Sequence, residues 1–243
     1  MDGRGAGSVP DGRGGPHVFV ADLDSPRFDE DDYHHLARVL RLRDGTPMTI
    51  GDGRGAWRPA RFRLDLGVGP EPDGEVVEVV APEHQVAVGF SLIKGGRPEL
   101  VVQKLTELGV DRILPLAAER SVVRWDNAKA QANLERFRRV AREAAMQARR
   151  VHLPEVDSVS PPGDVADGPG VAVAEPGSEP LGGPDTAPVH VVLIGPEGGW
   201  TDDELAGRRT VGLGSTVLRA ETAAIAAGTL LVALRAGRLS PGS

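Results

Sequence analysis

Beyond residue 84 the chain alternates short apolar runs with amphipathic helical stretches, and that rhythm limits its fold more than any other feature. Adjacent parallel strands cannot be joined by a tight turn and need a long crossover, usually a helix. A strand, loop, helix, strand succession therefore predicts a parallel sheet with helices on its faces, an α/β fold. Val86–Ile93 reads as the first strand. After Lys94-Gly95-Gly96 comes a helix with Pro98 near its start, Gly109 just past its end, and Leu100, Lys104, Leu105 and Leu108 on one mostly apolar face. Asp111–Leu116 reads as a strand, Asn127–Arg150 as a long arginine-rich helix, and Val171–Ala174 and His190–Ile194 as short strands. Thr201-Asp202-Asp203-Glu204 has the form of a capping box, and a last helix is expected from about Thr222 to Arg235.

The part in front has a different rhythm. Short β-like runs (His17–Val20, Pro47–Ile50, Trp57–Leu66, Glu75–Val80) alternate with glycine-rich turns, the pattern of a small β-barrel. One helix, Asp29–Arg41, interrupts them, with Tyr33, Leu36, Val39 and Leu40 near helical spacing and Arg38 and Arg41 beside that stripe. Pro82 marks a linker. The expected division is a disordered tail over 1–15, a β-barrel domain over 16–82 and the α/β domain over 83–243.

Charge is uneven. The net charge of −7 argues against a uniformly basic nucleic-acid binder. Yet Asp157 to His190 holds six acidic residues and no Lys or Arg, and outside it the charges nearly balance. His34 to Arg43 carries three arginines and two histidines, and Arg136 to Arg150 carries six arginines against one glutamate. With no cysteine, disulfides, thiolate metal sites and a cysteine nucleophile are excluded, and no metal is expected. Met1–Gly15 has no apolar core of a secretory signal, and Ala223–Leu234 is too short and interrupted to span a bilayer, so a cytoplasmic protein away from membranes is expected.

Gly51-Asp52-Gly53-Arg54-Gly55-Ala56 satisfies the G-x-G-x-x-A dinucleotide pattern, but Trp57-Arg58-Pro59 follows it instead of a helix, so a hairpin turn is expected. The informative segment is His190 to Trp200, an apolar run ending in Ile194-Gly195-Pro196-Glu197-Gly198-Gly199-Trp200 directly before the capping box, with a tight strand-to-helix connection as the alternative reading. Loops at the carboxyl ends of parallel strands are where α/β sheets bind ligands, and glycines let backbone groups approach a ligand closely. A second loop, Gly212-Leu213-Gly214-Ser215-Thr216-Val217-Leu218-Arg219-Ala220-Glu221-Thr222, also lies between an apolar run and a helix.

These paired loops resemble the cofactor loops of the RsmE family of 16S ribosomal RNA (uracil-N3)-methyltransferases, members of the SPOUT superfamily. Further matches are His35-Leu36-Ala37-Arg38-Val39-Leu40-Arg41, Lys94-Gly95-Gly96, Lys104-Leu105-Thr106-Glu107-Leu108-Gly109, Glu119-Arg120-Ser121 and Glu143 through Pro154-Glu155, so the likeness covers about residues 16 to 238. Two departures stand out. Gly214-Ser215-Thr216 replaces the family's common Gly-Pro-Arg, and Gln147-Ala148-Arg149-Arg150 lacks the usual small hydroxyl or thiol.

The resemblance implies a SPOUT-type parallel sheet with a C-terminal trefoil knot spanning roughly Val191 to Leu234, behind a PUA-like RNA-binding barrel. It implies S-adenosylmethionine as cofactor, held by Leu193, Ile194, Gly195, Pro196, Gly198, Gly199, Leu213, Gly214 and Leu218. It further implies a homodimer, and 16S ribosomal RNA of the small subunit as substrate. A uracil imide keeps its proton at neutral pH, so methylation there needs proton removal or stabilisation of the developing anion. Arg219 is the candidate for the electrostatic role or for gripping a phosphate, against a structural salt bridge. Glu197 and Glu221 are candidate proton acceptors, or carboxylates that complement a helix dipole. Arg27, His35, Arg38 and Arg41, with Lys94, Arg149 and Arg150 near the site, are expected to contact RNA. A SPOUT enzyme acting on transfer RNA and a non-catalytic RNA-binding assembly factor are the alternatives.

Overall fold

The computed structural model describes residues 7–65, 69–94, 97–183 and 188–239. The chain divides into two compact units: the first runs to Pro82 and also takes in Ala145–Leu153, and the second comprises Glu83–Ala144 and the chain from Pro154.

The first unit is a five-stranded sheet. Its strands are β1 (His17–Phe19), β2 (Pro47–Gly51), β3 (Ala56–Arg61), β4 (Glu71–Pro72) and β5 (Val77–Glu78). The order is β1-β2-β3-β4 with β5 also on β3; β1 pairs parallel with β2, and the other pairs are antiparallel. Between β2 and β3 the G-D-G-R-G-A segment is a turn, closed by Asp52 Oδ1 accepting from the N–H groups of Arg54 (2.7 Å) and Ala56 (3.1 Å). The β3 run stops at Arg61, short of the expected Leu66; residues 66–68 lie outside the described residues. Of the expected disordered tail, residues 1–6 are likewise outside. Residues 7–15 are placed, because Trp57 Nε1 needs an acceptor and donates to the Ser8 carbonyl (3.0 Å), and Pro10 is buried.

The helix expected over Asp29–Arg41 is two pieces. Asp29 caps α1 (Glu30–His34) by accepting from the Asp32 N–H at 2.7 Å, and a π-helical turn follows over His35–Val39. The wider turn rotates the face that follows: Leu36 stays buried, whereas Val39 and Leu40 are 61% and 47% exposed rather than part of an apolar stripe. Arg41 then enters the left-handed region at φ 52°. The core here is Val18, Val20, Phe28, Leu36, Met48, Ile50, Ala60 and Phe62.

The second unit holds six parallel strands: β6 (Ala87–Ser91), β7 (Arg112–Leu116), β8 (Glu155–Val156), β9 (Val171–Ala174), β10 (Val191–Ile194) and β11 (Thr210–Val211), in the order β11-β9-β10-β6-β7-β8. The two shortest, β8 and β11, carry too few residues to show a periodicity. Helices α2 (Arg97–Leu108), α3 (Asn127–Gln147) and α5 (Ala220–Arg235) contribute to one core with Val88, Phe90, Val192 and Ile194, while Leu114, Leu116, Leu193 and Trp200 form a core on the other strand face. Burial on both faces explains why these strands read as continuous apolar runs. Gly228 permits the close crossing of α5 over α2, since a Cβ there would lie 2.7 Å from Leu105 Cδ2.

Helix α3 ends at Gln147 rather than Arg150. Arg149 turns left-handed at φ 54°, and the Arg150 N–H closes back on the Ala145 carbonyl at 2.9 Å. The chain beyond joins the first unit: Gly55 N–H donates to Val151 O (3.0 Å), Leu153 N–H to Gly53 O (2.9 Å), and His152 Nε2 lies 2.9 Å from Val79 O. No described helix is long and apolar enough to cross a membrane.

His17 bears a cost for its place in the first core. It is 3% exposed, with Nδ1 2.9 Å from Thr49 Oγ1 and, among the described residues, no hydrogen-bond partner for Nε2, and burial together with the nearby Arg149 charge lowers its pKa to about 4. Between that value and its ordinary 6.5 the unfolded chain binds a proton that the folded chain refuses. Stability from this residue is therefore full above 6.5 and is lost as pH falls toward 4, by about 3 kcal/mol at most. Denaturant unfolding as a function of pH should show a slope in this window that flattens in His17→Gln; an unchanged slope would place the acid sensitivity elsewhere.

Candidate active site

The site is built at the carboxyl ends of three neighbouring strands. Beyond β9 the chain turns through Glu175 and Pro176, beyond β10 through Gly195–Trp200, and beyond β11 through Leu213–Arg219 into α5. The three turns enclose a cavity of about 440 Å³, within the range of small-molecule sites. The strand order explains its place: β11, β9 and β10 are consecutive neighbours in the sheet, so the turns at their carboxyl ends come together on one edge.

Trp200 organises this end of the sheet. Its indole is 5% exposed and Nε1 donates to the Ala174 carbonyl at 3.2 Å, joining the β10 loop to the end of β9. Gly195 lies directly against it. A Cβ on Gly195 would fall 2.9 Å from both Cε2 and Nε1 of the indole, closer than real contacts allow, so only glycine fits. At the start of the loop Ser91 Oγ donates to Ile194 O (3.0 Å), and its far turn is closed by Gly199 N–H on Pro196 O (2.9 Å). The capping box then starts α4 (Asp202–Leu205): Thr201 Oγ1 accepts from Glu204 N–H (3.3 Å) and Glu204 Oε2 accepts from Thr201 N–H (3.0 Å).

Of the residues proposed for the cofactor, Ile194, Gly195, Pro196, Gly199, Leu213, Gly214 and Leu218 line the cavity. Leu193 and Gly198 do not. Strand alternation turns Leu193 into the opposite core with Trp200 and Leu116, and Gly198 backs onto Arg120, where a Cβ would meet Arg120 Cβ at 3.3 Å. The lining also takes in Thr216, Val217 and Ala220 of the second loop, which were not assigned to the cofactor, and Ala174, Glu175, Pro176 and Ala223, which sequence reasoning missed. The available signal was Glu175-Pro176 directly after an apolar run, the same strand-end context as the two glycine loops. Thr216 is the position where a basic side chain is common in the resembled family.

Arg219 lines the cavity as the residue preceding α5; it is exposed, with no side-chain hydrogen bond or ion pair among the described residues. The structural salt bridge therefore has no partner there. Glu197 also lines the cavity and is exposed. Glu221 does not line it; it is half-buried in the first turn of α5, where a carboxylate complements the helix dipole. Arg27, His35, Arg38 and Arg41 are exposed on the first unit, to which Arg149 and Arg150, both half-buried, also belong. Lys94 is exposed in the second unit; Gly95 and Gly96 lie outside the described residues. Among the described residues no group of three His, Asp or Glu could hold a metal ion.

The RNA methyltransferase domain model matches residues 81–232, and the RNA methyltransferase PUA domain model matches residues 28–62. A ribosomal RNA small subunit methyltransferase E of Mycobacterium bovis is 37% identical over 220 residues, covering 82% of each chain. The chain belongs to the ribosomal RNA small subunit methyltransferase E family. The namesake of Synechocystis is 33% identical over 214 residues, covering 78% of this chain and 67% of its own. Among solved structures, a methyltransferase of Legionella pneumophila with its cofactor SAM bound superposes with a TM-score of 0.77 at 28% identity, over 90% of this chain and 97% of its own. The small subunit methyltransferase E of Neisseria gonorrhoeae, bound to S-adenosylmethionine, superposes at 0.72 and 25%, again over 90% and 97%. The PUA match falls on the first unit, and the methyltransferase match falls mainly on the second, which carries the cavity.

The Gly195–Trp200 contact is testable by stability alone. Gly195→Ala should cost about 1–3 kcal/mol of unfolding free energy, and Trp200→Phe in the same chain should remove part of that loss by withdrawing the clashing edge. Strictly additive losses in the double variant would show that the two residues do not press on each other.

Proposed function

We propose that this protein methylates 16S ribosomal RNA of the small subunit from S-adenosylmethionine, at N3 of a uridine. The observation that carries the reading is the cavity at the ends of β9, β10 and β11, lined by Gly195-Pro196 and Leu213-Gly214, in a chain whose relatives carry that cofactor. The lining fits such a ligand. Ile194, Leu213 and Leu218 offer apolar surface to an adenine, the glycine turns offer backbone N–H and C=O groups, and Glu175, Glu197 and Arg219 offer charges to a zwitterion and a diol.

When bound, the cofactor supplies an electrophilic methyl group on a sulfonium. Pro196, Leu213 and Leu218 hold it in one orientation and exclude water from one side. Arg219, exposed in the cavity lining, stabilises the negative charge that grows on the uracil as its imide proton leaves, and Glu197 accepts that proton. Glu221, outside the lining, stays with α5.

In the same reading the loops belong to a SPOUT-type trefoil knot across Val191 to Leu234, a second copy of the chain completes the site, and the enzyme works in the cytoplasm. The first unit acts as a PUA-like RNA-binding barrel. His35, Arg38 and Arg41 support that role, since they are exposed and, among the described residues, Arg38 and Arg41 make no side-chain hydrogen bond or ion pair that would tie them down. Arg27, Lys94, Arg149 and Arg150 complete the proposed RNA contacts.

Mass spectrometry of small-subunit RNA after incubation with the protein and labelled S-adenosylmethionine should find one added methyl on a uracil N3; a methyl found only on transfer RNA, or none, overturns the assignment. Arg219→Ala should lower turnover by about 100-fold or more while cofactor affinity changes little, and normal turnover would remove its role. Arg38→Glu with Arg41→Glu should weaken RNA binding and flatten its dependence on salt, as expected when phosphate contacts are lost; unchanged binding across salt concentrations would place the RNA surface elsewhere.

A further inference from the structure

Arg120 lies outside the cavity and lines none of it, yet it grips the back of the β10 loop. Its Nη1 donates to Trp200 O at 2.8 Å and reaches Gly198 O at 3.4 Å, so one guanidinium spans the two carbonyls on either side of Gly199. The segment that carries it is itself fixed. Ser121 Oγ donates to Leu92 O (2.8 Å), and Arg124 holds the Glu119 carbonyl. Glu119 N–H donates to Glu204 Oε1 (2.9 Å), while the other oxygen of that carboxylate accepts from Thr201 N–H (3.0 Å). The β7 connection is thus joined to the β10 loop at Gly198 and Trp200 and to α4 at Glu204. Of the residues in this network only Trp200 lines the cavity; Arg120, Glu119 and Ser121 do not.

We infer that Arg120 is a positioning residue, holding the Gly198 and Trp200 carbonyls so that the Gly195–Gly199 turn keeps its cofactor-binding shape before any ligand arrives. A loop of three glycines, a proline and a glutamate, exposed at 197–199, has little side-chain packing of its own to fix its path. A charge-assisted bond to backbone carbonyls supplies that order from behind, which lowers the entropy lost on binding. Both bonds leave one nitrogen, Nη1, so the two carbonyls need a cationic donor at that point, which an ammonium on the shorter lysine stem replaces only in part. The inference rests on the proposal that the cavity takes S-adenosylmethionine.

Calorimetric titration of S-adenosylmethionine, without RNA, into wild type, Arg120→Gln and Arg120→Lys separates the possibilities. Wild type should bind; Arg120→Gln should bind about tenfold more weakly, and Arg120→Lys should recover part of the loss by serving one carbonyl. Hydrogen exchange should quicken in the 195–200 peptide of Arg120→Gln and remain unchanged in β6 and α2, a local signature that general destabilisation would not give. If wild type takes up no S-adenosylmethionine, the proposed function fails and the inference with it. If wild type binds and Arg120→Gln matches it with equal exchange at 195–200, the positioning role is wrong. Equal cofactor affinity with weaker RNA binding would make Arg120 an RNA contact and also overturn it. Should Arg120→Gln not fold, Arg120→Lys carries the same comparison.

Discussion

The contact on which this structure depends is the Trp200 indole pressed against Gly195. It lets the chain leave β10, fold back and begin α4 within seven residues, while the indole edge fills the core beside Leu193 and Leu116. Because Trp200 Nε1 also holds the Ala174 carbonyl, one side chain fixes the separation of two strand ends. The cavity lies where the turns beyond those ends meet the turn beyond β11.

Electrostatics divides the arginines into two kinds. Arg58, Arg63, Arg112 and Arg235 are held in ion pairs with Asp24, with Asp44 and Glu71, with Asp157, and with Asp111. The Leu64 N–H, with the guanidinium of Arg63 as the smaller cause, keeps the Asp44 carboxyl below its ordinary range, and Asp157 raises Arg112. Arg38, Arg41 and Arg219 have no such partners among the described residues. A protein with net charge −7 can therefore still present positive charge to a polyanion, since its acidic groups are partly spent on other arginines and partly gathered in Asp157 to His190.

Much of the second unit was legible because parallel strands buried on both faces must be apolar throughout, and their helices carry one apolar stripe. The capping box at Thr201 and the glycine loops could be placed for the same reason, as local chemistry written in adjacent residues. What escaped was whatever depends on a partner distant in sequence. The π turn at His35–Val39 sends Val39 and Leu40 outward, though their spacing reads as a continued stripe. The left-handed Arg149 ends α3 three residues early and delivers Val151–Leu153 to the Gly53–Gly55 turn, so a contiguous domain boundary is interrupted by one returning segment.

The sequence by itself determined the α/β class, the two glycine loops and the residues able to do chemistry on them, because periodicity, caps and glycines act over a few neighbouring positions. Only the tertiary structure decided which of those residues share a cavity. Strand pleating turned Leu193 away, the approach of Arg120 claimed the back of Gly198, and the ends of β9 brought Glu175 in. Pairing order and side-chain direction are set by packing between segments dozens of residues apart, and no local pattern records them.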